Sequence, residues 1–190
     1  MQHLKKIILF STCALFISGC APGLVIAGGT AVSSVVYDKR PMKVIYQDQT
    51  IEHLASKALN DTPALAKTKI NVDSLNHRVL LTGVANTSTQ RSLAVRLVNH
   101  VPNVKRVYNR IRLGQPSMID FTKDSWLSSK VRLALFDQKN LKSAQVKITV
   151  SNGVVYLMGI LVPSQQRLAT HTARTVTGVK KVVTLFETSK

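Results

Sequence analysis

The chain has 190 residues and carries 26 Lys and Arg against 9 Asp and Glu, a formal net charge of +17. That length suits one medium domain or two small ones, and that charge draws anionic partners with a pull that weakens in salt. The two cysteines, Cys13 and Cys20, both lie near the N-terminus, which excludes a disulfide framework and a Cys/His zinc site in the body of the chain.

Lys5 and Lys6 precede an apolar run over residues 7–17, and Ile17-Ser18-Gly19-Cys20 follows. A short cationic start, an apolar stretch and a small-residue exit describe a bacterial secretory signal. The run is shorter than the roughly 20 residues that span a bilayer, so it reads as a removed signal. A cysteine directly after Ser-Gly makes the exit a lipobox. Residues 1–19 are therefore expected to be a lipoprotein signal peptide. Cys20 is expected to carry a diacylglycerol on its thiol and a third acyl chain on its amine, and two or more chains anchor stably.

Residues 20–45 are expected to be a lipidated tether, rich in Gly, Ala, Val and Ser and closed by Arg40-Pro41. Their apolar character fits either a segment lying on the membrane or a poor helix. Removal of Lys5 and Lys6 lowers the charge from +17 by two, to +15. In an exported chain the anionic partners at hand are phospholipid headgroups, lipopolysaccharide, cell-wall polymers and acidic protein faces, rather than nucleic acid.

The remainder contains a repeat. Ile70-Asn71-Val72 matches Val146-Lys147-Ile148, and Val79-Leu80-Leu81-Thr82-Gly83-Val84 matches Val155-Tyr156-Leu157-Met158-Gly159-Ile160, both at an offset of 76. Gln90-Arg91 matches Gln166-Arg167 at the same offset. After one deletion, Val104-Lys105-Arg106-Val107 matches Val179-Lys180-Lys181-Val182.

Each unit reads in the same order. A helix comes first, with Ile51, Ala55, Ala58 and Leu59 at helical spacing in the first unit and Leu127, Val131, Ala134 and Leu135 in the second. Strands over 69–72 and 145–150 follow. Then come turns at Asn76-His77 and Asn152-Gly153, and return strands over 79–84 and 154–160. Helices over 87–99 and 164–176 have Ser88-Thr89-Gln90 and Pro163-Ser164 at their starts. Final strands cover 104–113 and 180–187. The expected class is α+β: two tandem αββαβ domains, each with a three-stranded mixed sheet and two helices on one face.

An αββαβ unit with V-x-L-x-G in its second strand and G/N-V-K-x-V before its third resembles the BON domain. Residues 46–115 and 124–190 are then BON domains 1 and 2, joined by a linker over 116–123. Two such domains behind a lipobox resemble the dual-BON periplasmic lipoproteins. The likeness extends to residues 108–116, to Ser125-Trp126 with Lys130-Val131-Arg132, and to residues 151–159 and 178–182.

No catalytic constellation is legible. The four histidines beyond the signal, His53, His77, His100 and His171, are isolated, and the acids are scattered. There is no nucleophile elbow and no Gly-rich phosphate loop. The expectation is a non-enzyme with no cofactor, metal or small-molecule substrate. The informative segment is 126–137. At roughly 100° per residue, Leu127, Val131, Ala134 and Leu135 form one arc and face the sheet. Trp126, Leu133 and Phe136 form another, with Lys130 among them.

A small domain needs only one apolar helix face. A second stripe of Trp, Phe and Leu edged by cations suits the headgroup region of an anionic bilayer. Packing between the two domains is the competing reading. In the first unit the equivalent positions hold Thr50, Lys57 and Asn60. Resemblance to the dual-BON lipoproteins implies phospholipid binding through this helix, at Trp126, Lys130 and Phe136, with Leu133 resting on the helical wheel. It also implies a lipid anchor in the outer membrane facing the periplasm, a role in envelope integrity and at division sites, and contact with the β-barrel assembly machinery. A protein adaptor for the β-barrel assembly machinery or a cell-wall amidase pathway, and a cell-wall binder, are the other readings.

Overall fold

A computed structural model describes residues 40–115 and 118–189, which fall in one compact unit. The expected signal peptide, Cys20 and most of the expected tether lie outside the described residues.

The chain runs α1 (Met42–Asn60), β1 (Lys69–Leu75), β2 (Arg78–Ala85), α2 (Ser88–Asn99), β3 (Arg106–Leu113), α3 (Met118–Phe136), β4 (Val146–Ser151), β5 (Val154–Leu161), α4 (Pro163–Thr175) and β6 (Lys181–Thr188). Two three-stranded sheets result, ordered β1-β2-β3 and β4-β5-β6. Within each, the hairpin pair is antiparallel and the second pair parallel. The intervening helix forms the crossover that a parallel pair requires. The expected α+β class and the two mixed sheets are what the structure shows.

Both helices of each domain pack on one sheet face. Ile51, Ala55 and Leu59 of α1 and Ala94 and Val98 of α2 meet Val79, Leu81 and Ala85 of β2. Leu127, Val131 and Leu135 of α3 and Ala169 and Ala173 of α4 meet Val155, Leu157 and Leu161 of β5. The opposite faces of the two sheets cover each other. Leu75 and Leu80 cluster with Tyr156 and Met158, and Tyr108, Val183 and Leu185 pack against them. The described residues thus form four layers: helices, sheet, sheet, helices.

Local chemistry explains the element ends. Asn76 and His77 have φ of 52° and 65°, and Asn152 and Gly153 have 54° and 75°, the left-handed pair that a two-residue hairpin turn requires. An aspartate clamps each turn. Asp48 accepts from the amides of Asn76 and His77, both at 2.8 Å. Asp124 accepts from the amides of Asn152 and Gly153 at 2.5 and 2.8 Å.

The strand glycines have a steric cause. A Cβ on Gly83 would lie 2.0 Å from the Lys69 carbonyl oxygen, and one on Gly159 would lie 2.6 Å from that of Gln145. Helix α2 starts one residue later than expected, because Thr87 and not Ser88 is its cap: Thr87 and Gln90 form a reciprocal capping box. Helix α3 starts at Met118, inside the segment expected to link the domains. Helix α1 likewise starts at Met42, inside the expected tether.

Candidate membrane-docking face

Helix α3 buries one side and leaves the other bare. Leu127, Val131 and Leu135 are buried in the core of the second domain. Trp126, Leu133 and Phe136 are 62%, 66% and 68% exposed. The domains meet through their sheets, so the interface leaves this stripe free. The four sequence-identified residues of α3 lie on this one side, and Lys130 Nζ stands 4.2 Å from the centre of the Trp126 ring. Such a contact at an exposed site contributes on the order of 0.5–1 kcal/mol.

The polar groups within the stripe are already satisfied. Ser129 donates from its hydroxyl to the Ser125 carbonyl at 3.2 Å, and Ser125 donates to that of Phe121 at 3.0 Å. Neither hydroxyl therefore obstructs contact with an apolar phase. Lys123, Arg132, Lys139 and Lys142 are exposed on α3 and the loop after it. Asp124, a carboxylate on the same helix, is turned into the domain to hold the 152–153 turn.

Sequence reasoning missed two neighbours of the stripe. Lys123 and Lys180 flank Trp126 around a hollow of about 330 Å³, with Leu127, Gly153 and Gly178 in its wall. The Lys180 side chain lies within 3.0 Å of where a Gly153 Cβ would stand. Lys180 belongs to the repeated G-V-K run, and only the fold carries it to the side of α3. Phe121, 51% exposed, also escaped notice, since the helix was expected to begin after it.

The first domain offers no equivalent. At the matching positions of α1, Thr50 is half-buried and Lys57 and Asn60 are exposed. Its most exposed apolar residues, Met42 and Tyr46, lie in the first two turns of α1, away from these positions. Among the described residues no cluster of three or more His, Cys, Asp or Glu could hold a metal, and no helix is long and apolar enough to cross a membrane.

A sequence model of the BON domain matches residues 47–115 and 123–190. The chain is 33% identical over 189 residues to the outer membrane lipoprotein DolP of Haemophilus influenzae, covering 98% of this chain and 97% of that one. It is 32% identical over 148 residues to a 21 kDa hemolysin of Actinobacillus pleuropneumoniae, covering 77% and 76%. Among solved structures, CdsD of the Chlamydia trachomatis type III secretion system aligns over 72% of this chain and 91% of that chain, with 13% identity and a TM-score of 0.31.

Proposed function

This chain belongs to the BON-domain family, and we propose on that premise that it is an outer-membrane lipoprotein whose second BON domain docks on anionic phospholipid. Its likeness to an outer membrane lipoprotein over nearly its whole length supports the location. The lipid is held from Cys20 and the body faces the periplasm. No catalytic step is assigned to it. Maintenance of the outer membrane and of the division-site envelope is the role that follows from such docking.

The observation that carries the lipid reading is the bare stripe on α3, where Trp126, Leu133 and Phe136 are each more than 60% exposed. An exposed apolar patch on a basic protein marks a contact site. A tryptophan with an apolar ring and a wet N–H suits the bilayer interface, and each nearby cation adds on the order of 1 kcal/mol on a negative leaflet. On docking, the Lys130 ammonium leaves the indole face for a headgroup phosphate, and the ring goes down into the acyl boundary.

Co-sedimentation tests this with the chain carrying Cys20→Ser, so that no acyl chain contributes. The expected result is sedimentation with phosphatidylglycerol vesicles, loss on phosphatidylcholine vesicles, and weakening at high salt. Trp126→Ala should abolish most of the binding while the fold persists. If vesicles do not bind but a barrel-assembly subunit is captured through Trp126, the face belongs to a protein adaptor.

A further inference from the structure

We infer that the seam between the two domains receives an extended peptide strand bearing acidic side chains. The seam is a groove of about 760 Å³, and Lys69, Ile70, Asn71, Val72 and Asp73 of β1 and residues 148–152 at the end of β4 line it without a gap. Successive residues of a strand point to opposite faces. A groove touched by five consecutive residues on each side is therefore bordered by the edges of β1 and β4, while Val84 and Arg112 extend its wall across the first sheet. Strands β1 and β4 are edge strands of their sheets, so each presents a row of unpaired backbone groups that can accept an added strand.

The internal repeat explains why the seam opens here. At its other end the two domains are tied by Lys147 to Glu52 and to Asp73, and by Arg78 to Glu187 at 2.8 Å. The positions equivalent to Lys147 and Glu52 with the domains exchanged are Asn71 and Ser128, and both line the groove. The equivalents of Arg78 and Glu187 are Val154 and Arg112. One end is sealed by ion pairs; at the other, the same positions carry small neutral groups and a lone arginine.

Charge names the occupant. The groove's two carboxylates are already committed: Asp73 to Thr149 at 2.9 Å and to Lys147, and Asp124 to the turn amides. Its two cations are not. Lys69 stands 5.7 Å from the Phe121 ring centre, and neither Lys69 nor Arg112 is ion-paired among the described residues. A strand laid along β1 or β4 would form main-chain hydrogen bonds to the edge. It would meet Lys69 and Arg112 with acidic side chains and place an apolar one against Phe121. This surface adjoins the lipid-facing stripe at Phe121 and Ser125 but is lined by none of Trp126, Lys130, Leu133 and Phe136.

The test uses the full mature chain with Cys20→Ser and two capped synthetic nonapeptides, one alternating Val with Glu and one alternating Val with Lys. A third, the Val/Glu peptide with a central proline, removes main-chain donors, and an acidic hyaluronate oligosaccharide is the non-peptide probe. Amide exchange and chemical shifts are followed residue by residue. The Val/Glu peptide should bind and slow exchange along 69–73 or 148–152, and the proline peptide should not.

Lys69→Glu with Arg112→Glu should weaken Val/Glu binding roughly tenfold or more and favour the Val/Lys peptide. Both residues are exposed, so the fold should persist, which circular dichroism checks. Trp126→Ala should change nothing. Absence of peptide binding at about 1 mM, binding that ignores the proline or the charge reversal, or hyaluronate binding in place of peptide would each overturn the inference. None of these results bears on vesicle binding.

Discussion

Asp73 accepts a 2.9 Å hydrogen bond from the Thr149 hydroxyl, and these two residues hold the same place in the two repeats, 76 positions apart. The halves of an internal duplication thus meet through equivalent residues at the middle of their interface. Leu80 and Tyr156, also equivalent, share the cluster beside them. Each BON sheet has one face covered by its own helices and finds cover for the other in its twin.

This predicts that the two domains unfold together. Leu80 is fully buried and lies on the shared face. Leu80→Ala should cost ~2–5 kcal/mol, and urea unfolding followed at separate probes in each domain should shift as one transition. Two separated transitions in the unmodified protein would show that the domains are not coupled.

The strand glycines admit no side chain. Gly159→Ala would bring a Cβ to 2.6 Å from the Gln145 carbonyl oxygen, and backbone, unlike a side-chain tip, cannot swing away. The loss should exceed ~1 kcal/mol in chemical denaturation. An equally stable Ala variant would mean that β4 and β5 lie further apart than the structure has them.

Asp48 and Asp124 read in the sequence as two of several scattered acids, yet each holds a hairpin turn. Asp124→Asn leaves one acceptor oxygen for two amides, and a loss on the order of 1–3 kcal/mol should follow. Amide exchange at Asn152 and Gly153 should quicken. Unchanged protection there would remove the clamp from the account.

Tyr156 gives the alkaline limit. Burial raises its hydroxyl above the ordinary tyrosine value, although Arg110 and Arg112 pull the other way. The folded form therefore keeps this proton where the unfolded chain releases it. The resulting stability is complete below roughly pH 10 and is lost as pH rises through the folded value. Tyr156→Phe should flatten the decline of stability above roughly pH 10, measured by denaturation across a pH series. A decline as steep as before would assign it to other groups.

The sequence made the elements legible because the repeat was read twice. An offset of 76 aligned two helices and two strands per unit, one deletion brought the third strand into line, and the turn at Asn152-Gly153 supported the weaker one at Asn76-His77. The sheet-to-sheet packing was not read, although a signal was present. Val79-Leu80-Leu81 and residues 154–158 are continuous apolar runs, the mark of strands buried on both faces. Of the candidate face, Trp126, Lys130, Leu133 and Phe136 followed from helical spacing, and the resemblance to the dual-BON lipoproteins added its weight to Trp126, Lys130 and Phe136. Lys180 could not, because it reaches α3 only through the turn into β6. The start of α3 at Met118 was hidden by its first turn, which lacks the apolar periodicity that marks the rest.

Trp126 is the only tryptophan of the chain, so its fluorescence reports on the proposed docking face with no other contributor. With the Cys20→Ser chain, phosphatidylglycerol vesicles should shift its emission to the blue, and bromine-labelled acyl chains should quench it. Phosphatidylcholine vesicles should do neither. Emission that stays at the wavelength of a water-exposed indole on saturating anionic vesicles would contradict the claim that this side of α3 meets lipid.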